Sequence, residues 1–243
     1  MKRYVSPVLM LLLVLVGAMA GCKDFIEGKE IATVGDAVEI EEESAEAPDA
    51  AATEGETPDA QDAGGASEAT EPAEAPDTDA KVFTITENTA IMFEGSKTIG
   101  THTGGFTKFD GKITLKGDDL TQAKIDITID MESMFSDDRL LTSVLRGEDF
   151  FNIEKYPTAR FVSTKIEPKE SGLAITGNLQ LKGVTKSVTF TAKPTITEDT
   201  ITATAEFVVD RSAWDVGYAD WKGEIIRNEV LIALDVEAKL EKD

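Results

Sequence analysis

The chain has 243 residues, a formal net charge of −22, one cysteine and one histidine. A lone cysteine excludes an internal disulfide framework, and a single histidine leaves no three- or four-ligand zinc set unless carboxylates dominate it. The negative balance, without a basic stripe interleaved with aromatics, excludes a nucleic-acid partner.

In chain order, a Met-Lys-Arg start leads into an apolar run over residues 8–16 and then Gly17-Ala18-Met19-Ala20-Gly21-Cys22. An apolar core of about nine residues is too short for a membrane span, which needs roughly 20, and fits a secretory signal. Met19-Ala20-Gly21-Cys22 resembles a bacterial lipobox, so Cys22 is the expected lipidation site; a soluble exported protein with a stray thiol is the bland alternative. The expected location is therefore a bacterial cell envelope, with the chain lipid-anchored to a membrane and facing the periplasm. Lys23, where an inner-membrane retention signal has aspartate, favours the outer membrane.

Residues 23–80 carry two basic against 19 acidic groups, with no aromatic between Phe25 and Phe83. Little apolar surface and strong self-repulsion predict a disordered tether, with a reach on the order of 40 Å.

Residues 81–243 read as one folded domain. Strands are expected near 82–86, 90–94, 105–109 and 112–116. Over 123–131, Ala123, Ile125, Ile127, Ile129 and Met131 alternate with Lys124, Asp126, Thr128 and Asp130, the period-two pattern of a half-buried strand. SDDRLLTSVLRG then predicts a helix. Ser136 is the expected N-cap, Asp137 and Asp138 suit the first turn, Arg146 suits the last, and Gly147 suits a left-handed C-terminal position. Leu141, Val144 and Leu145 give it an apolar face that should lie across the sheet.

DFFNIEKYPTARF follows. One of the rings of Phe150 and Phe151 is expected inward and the other beneath the helix, and Pro157 should restart the next strand near Arg160 with Phe161 inward. Further strands are expected over 160–166, 173–181, 187–192, 201–209 and 230–240. Eight to ten short strands with Gly- or Asp-containing breaks suggest one antiparallel barrel or sandwich. An eight-stranded barrel can be filled by its side chains or hold one ligand. Ala203, Ala205 and Ala238 on inferred inner faces leave room, while a packed core remains the plain alternative.

Catalytic motifs are missing: there is no glycine-rich phosphate loop, GxSxG elbow or HExxH helix. His102, among threonines and glycines, reads as a strand-end histidine bonding a neighbour. An enzyme pairing it with a carboxylate is the weakest reading. Asp118 and Asp119 read as surface charge.

DFFNIEKYPTARFVSTKI followed by GNLQLKGVTKSVTFTAKP resembles the YceI-like family of bacterial periplasmic proteins. GTHTGGFTKFDGKI, with Gly105, Phe106, Phe109 and Gly111, and VVDRSAWDVGY, with Asp210, Arg211, Trp214 and Gly217, extend the match. The resemblance implies a mainly β, lipocalin-like antiparallel barrel with one short α-helix. It also implies a non-enzymatic protein without cofactor, whose partner is an apolar lipid, an isoprenoid or a quinone tail, held in an apolar tunnel. Expected wall residues are Ile125, Ile127, Ile129, Phe161, Leu179, Leu181, Phe207, Val209, Ile232 and Leu234. Trp214, Tyr218 and Trp221 are expected at the mouth or as a cap. Val144 stands where many relatives have a histidine, so no head-group contact carries over there. The rival reading is an envelope protein-interaction or stress-response module with a filled barrel.

Overall fold

The computed structural model describes residues 26–39, 80–97, 100–218, 220–221 and 224–241. In chain order the elements are β1 (Glu30–Ile31), β2 (Thr33–Asp36), β3 (Ala80–Ile85), β4 (Ala90–Lys97), β5 (Thr101–Phe106), β6 (Phe109–Lys116), β7 (Lys124–Asp130), β8 (Met134–Ser136), α1 (Arg139–Arg146), β9 (Thr158–Lys169), β10 (Gly172–Leu181), β11 (Val184–Ile196), β12 (Thr200–Asp210), β13 (Asp220–Trp221) and β14 (Glu224–Leu240). Barrel, not sandwich, is the architecture.

Three of the barrel's eight staves are broken strands. β3 and β4 run end to end along one edge of β14, Phe83 facing Leu240 and Lys97 facing Ile226. β6 and β5 line up beside them, and β7 and β8 beside those. β9, β10, β11 and β12 continue the antiparallel meander, and β14 closes the ring by pairing β12 on its other edge. Breaks of this kind let a strongly curved sheet turn its corners.

Polar side chains hold these corners. At residues 86–89, Thr86 N donates to Glu237 O at 2.8 Å. The Glu237 carboxylate accepts from Thr86 Oγ1 at 2.9 Å and Asn88 Nδ2 at 2.7 Å. At 107–108, both exposed N–H groups donate to Ser133 Oγ, at 3.2 and 3.0 Å. The strand expected at 105–109 therefore ends at Phe106, because the corner falls where Ser133 replaces the ladder.

Residues 26–39 correct the expected tether. Thr33–Asp36 pairs antiparallel with β11 over Lys186–Thr189, and Glu30–Ile31 pairs parallel with β12 at Phe207 and Val208. β11 and β12 pair with each other only from Ala192 and Ala205 to Ile196 and Ile201, and this strap fills the fork between them. Ala32 and Val34 point into the core, while Ile31 points out. At the fork, the Glu30 carboxylate accepts from Thr191 N at 3.2 Å and Thr191 Oγ1 at 2.8 Å. The expected signal segment and the acidic run from 40 to 79 lie outside the described residues.

The helix begins later than expected. Asp138, not Ser136, is its N-cap, accepting from Leu140 N and Leu141 N at 2.7 and 3.0 Å. Ser136 belongs to β8 and donates to Asp138 O. Gly147 ends the helix in extended backbone, φ −70°, not in the left-handed region. Left-handed residues appear instead in the two-residue β10–β11 turn, at Lys182 (φ 51°) and Gly183 (φ 77°), the backbone that matches strand twist in a hairpin. β9 starts at Thr158, immediately after Pro157, whose carbonyl accepts from Met131 N at 2.9 Å.

Candidate ligand cavity

The barrel is packed at one end and hollow toward the other. Phe83, Leu115, Ile166, Ile201 and Ala238 are buried at the packed end. Beyond them an apolar cavity of about 570 Å³ runs from Ile113 and Ala192 up to α1. All eleven expected ligand-contact residues line it: Ile125, Ile127, Ile129, Phe161, Leu179, Leu181, Phe207, Val209, Trp214, Ile232 and Leu234. Period-two alternation brings ten of them together, because every second side chain of each stave points inward, while Trp214 comes from the single helical turn after β12.

Small residues set the width. Ala203 and Ala205 line the cavity, whereas Ala238 sits wholly buried in the packed end. Phe190 stacks on Phe207 with centroids 4.3 Å apart, and Phe161 leans on Phe190 at 5.9 Å. Phe161 can lie that way because it crosses Gly177, where a Cβ would come 2.4 Å from its Cζ. Val188, Phe190, Ile91 and Phe93 also line the wall and were not singled out from sequence, although their strands carry the same alternation.

At the helix end, Leu141, Val144 and Leu145 form a ceiling. Both Phe150 and Phe151 line the cavity beside this ceiling. The Phe151 N–H donates to Leu145 O at 3.0 Å, which turns the chain back under the helix. Leu140, 80% exposed, and the polar Lys97, His102, Asp138 and Arg227 complete the lining here, so this is where the cavity meets solvent.

The sequence motifs meet at this end. Gly217 N donates to Asp149 O at 2.9 Å, and Phe150 packs edge-on against Tyr218 at 5.3 Å. Lys182 Nζ donates to Asp215 O at 2.7 Å and reaches Asp149 O at 3.4 Å. Gly217 (φ 71°) has no room for a side chain between Phe150 and Arg211. Trp214 is buried and donates from Nε1 to Leu179 O at 3.0 Å, so it caps the interior wall. The Trp221 side chain lies outside the described residues.

Arg211 is the buried cation of the site. It donates to the carbonyls of Val216, Arg227, Tyr218 and Ile226. Burial pulls its pKa below the usual guanidinium value, against an opposing pull from Asp210. His102 Nδ1 lies 3.0 Å from Asp137 Oδ1 with both side chains partly exposed. The pair fixes the tip of β5 to the start of the helix. Asp138 is held below its ordinary carboxylate value, first by the N–H of Leu141 and then by that of Leu140.

A hollow, apolar-lined antiparallel barrel with a helix across its open end defines a lipocalin-like class of protein. Within that class, the chain belongs to the YceI-like family, whose domain model matches residues 83–238. Curated relatives include a UPF0312 protein of Shewanella denitrificans, 41% identical over 90 residues (37% of this chain, 47% of the relative), and Protein YceI of Salmonella arizonae, 39% identical over 90 residues with the same coverage. The chain spans about half the length of the curated relatives it matches. Among solved structures, BcnA of Burkholderia cenocepacia is 27% identical with a TM-score of 0.57, covering 62% of this chain and 96% of that one. A polyisoprenoid binding domain from Saccharophagus degradans, implicated in plant cell wall breakdown, shares the fold at 12% identity and a TM-score of 0.52, covering 66% of this chain and 98% of that one.

Proposed function

We propose that this protein is a non-enzymatic carrier or reservoir that holds an isoprenoid or similar long apolar lipid, a quinone tail included, inside the barrel. The carrying observation is the continuous apolar cavity of about 570 Å³, within the roughly 300–1,000 Å³ of ordinary ligand sites. Each methylene buried in it contributes about 0.8 kcal/mol, so a long tail binds tightly with few polar contacts. The polyisoprenoid-binding relative supports the ligand class. The hollow interior weighs against the filled-barrel interaction module. His102 and Asp137 account for each other as a tie between β5 and the start of the helix.

The carrier is tethered through an acylated Cys22 in a bacterial envelope, facing the periplasm, with the outer membrane favoured. Metabolic labelling with palmitate tests the anchor: label lost on Cys22→Ser supports it, and an unlabelled wild type overturns it. Native mass spectrometry of the full-length protein tests the ligand. The expected result is a co-purifying apolar lipid, with affinity for added isoprenoids rising with tail length until the cavity is full. A protein that comes out empty and takes up no isoprenoid of any length would sink the reading.

A further inference from the structure

The strap is a piece of barrel wall that β11 and β12 do not make for themselves. Their ladder runs only as far as Ala192 and Ala205. Two residues further on, where it would set Phe190 against Phe207, the backbones have parted and the strap lies between them. Both banks of this fork are cavity wall, Val188 and Phe190 on β11, Phe207 and Val209 on β12. The rings of Phe190 and Phe207 stack across the gap at 4.3 Å and 12°, so they close it from within. Ala32 and Val34 close it from the strap side.

Little holds the strap in place. Glu30–Ile31 makes a two-residue pairing with β12, and Thr33–Asp36 a four-residue pairing with β11. On its β12 side, β2 has no ladder partner among the described residues, and an indentation lined by Val34, Gly35, Asp210, Ser212 and Ala213 separates the two. Polar latches fasten the two ends. Glu30 grips Thr191 at one, and at the other Asn178, 8% exposed, accepts from Val38 N at 2.9 Å and donates to Val38 O at 2.6 Å. Short pairing and latches that water can replace put an element at the low end of local stability. The helix end is tied differently. Arg146 Nη2 donates to the carbonyls of Glu132 and Met134 at 2.8 and 2.6 Å, and His102 holds Asp137. Its rim carries Lys97, Asp138 and Arg227, and an apolar tail sliding past would strip water from those charges.

We propose that the β11–β12 fork is a lateral portal to the cavity and that the strap is its gate. The strap lifts from β11, the Phe190–Phe207 stack parts, and an apolar tail passes sideways between the two banks. When the strap returns, the wall closes behind the tail. A gate of this kind sets how fast the ligand exchanges, not how tightly it binds. This inference rests on the carrier reading above.

The test uses the full-length protein carrying Cys22→Ser, loaded with fluorescently labelled geranylgeraniol from phosphatidylcholine vesicles. Gly35→Cys and Ser187→Cys together place two cysteines opposite each other on the strap and β11. Opposed antiparallel residues have Cα atoms roughly 4.5–5.5 Å apart, which a disulfide spans. A side chain at Gly35 meets nothing within 4 Å of its Cβ. Oxidation should slow loading roughly tenfold or more and leave the final occupancy unchanged, and reduction should restore the rate. Asn178→Ala, which frees the Val38 latch, should load several-fold faster than its parent. A strap that only braces the barrel would move neither rate. An oxidised protein that loads as fast as the reduced one, or an Asn178→Ala variant that loads no faster than its parent, overturns the portal, leaves the carrier standing and puts entry at the helix end. If the parent takes up no geranylgeraniol at all, the carrier reading falls and this one with it.

Discussion

Trp214 shows how one side chain connects the site to stability. It is 1% exposed, and its Nε1 proton goes to the carbonyl of Leu179. Trp214→Phe keeps most of the ring but leaves that interior carbonyl short of a donor, at a cost of about 1–3 kcal/mol. Urea denaturation should show a lower midpoint with an unchanged slope; an unchanged midpoint would mean that water replaces the indole. Ala205 connects the site to binding. A phenylalanine there projects a ring into the open lumen, where space exists for it, so Ala205→Phe should stay folded and lose co-purifying lipid in native mass spectrometry. Undiminished lipid would place the ligand outside the barrel. Wall residues such as Ala205 and Ile127 were legible in the sequence because alternation alone fixes which face they take. The carbonyl cage around Arg211 was not legible. Its carbonyl partners at Val216, Tyr218, Ile226 and Arg227 converge only when the turn after β12 folds against β14, and no local pattern carries that.

At the scale of elements, the strands were legible and their ends were not. The corner at 107–108 depends on Ser133, some 25 residues downstream, and the helix start depends on Ser136 being taken by β8. The strap was missed for a different reason. Its acidic surroundings dominate the local composition, although Ile31, Thr33 and Val34 are good strand formers. Ala32 N donates to Val208 O at 2.8 Å at the centre of the strap. Ala32→Pro removes that donor and should release the strap, which protease cleavage within residues 26–39 would report while the rest of the barrel stays resistant. Equal resistance of variant and wild type would mean that the strap holds without this bond. The β3–β4 corner makes a pH prediction. Glu237 is held below its ordinary value of 4.5, first by Asn88 and then by Thr86. A carboxyl depressed in the folded chain contributes stability that is present above its ordinary value and is lost as the pH falls through the folded one. Melting temperature should therefore drop more steeply below pH 4.5 in wild type than in Glu237→Gln; parallel curves would remove Glu237 from the acid response.

For the whole molecule, the strap changes what the acidic segment does. If Cys22 is acylated as proposed, a chain that first met the barrel at β3 would leave residues 23–79 to set how far the domain stands from the membrane. Instead the chain enters the wall at Glu30, which leaves at most seven residues, 23–29, between the proposed anchor and the first strand. Fully extended, that stretch spans about 25 Å, well short of the reach of the whole acidic segment. The described chain leaves the wall where Val38 exchanges hydrogen bonds with Asn178 and is next described at Ala80, which pairs with Lys116 at the packed end. A barrel on a short leash keeps the β11–β12 fork, and the cavity behind it, close to the bilayer surface from which an apolar lipid would come. The distance can be measured, because the proposed acylation would block the only native cysteine and one introduced at Glu198, on the exposed β11–β12 turn, can carry a dye alone. Energy transfer from that dye to a membrane acceptor should not change when residues 46–75 are deleted. It should fall when a twenty-residue Gly/Ser segment, with a root-mean-square reach of about 25 Å, is inserted after Lys23. If the deletion alters the transfer as much as the insertion does, the strap is not docked in the membrane-bound protein and the acidic run is the leash after all.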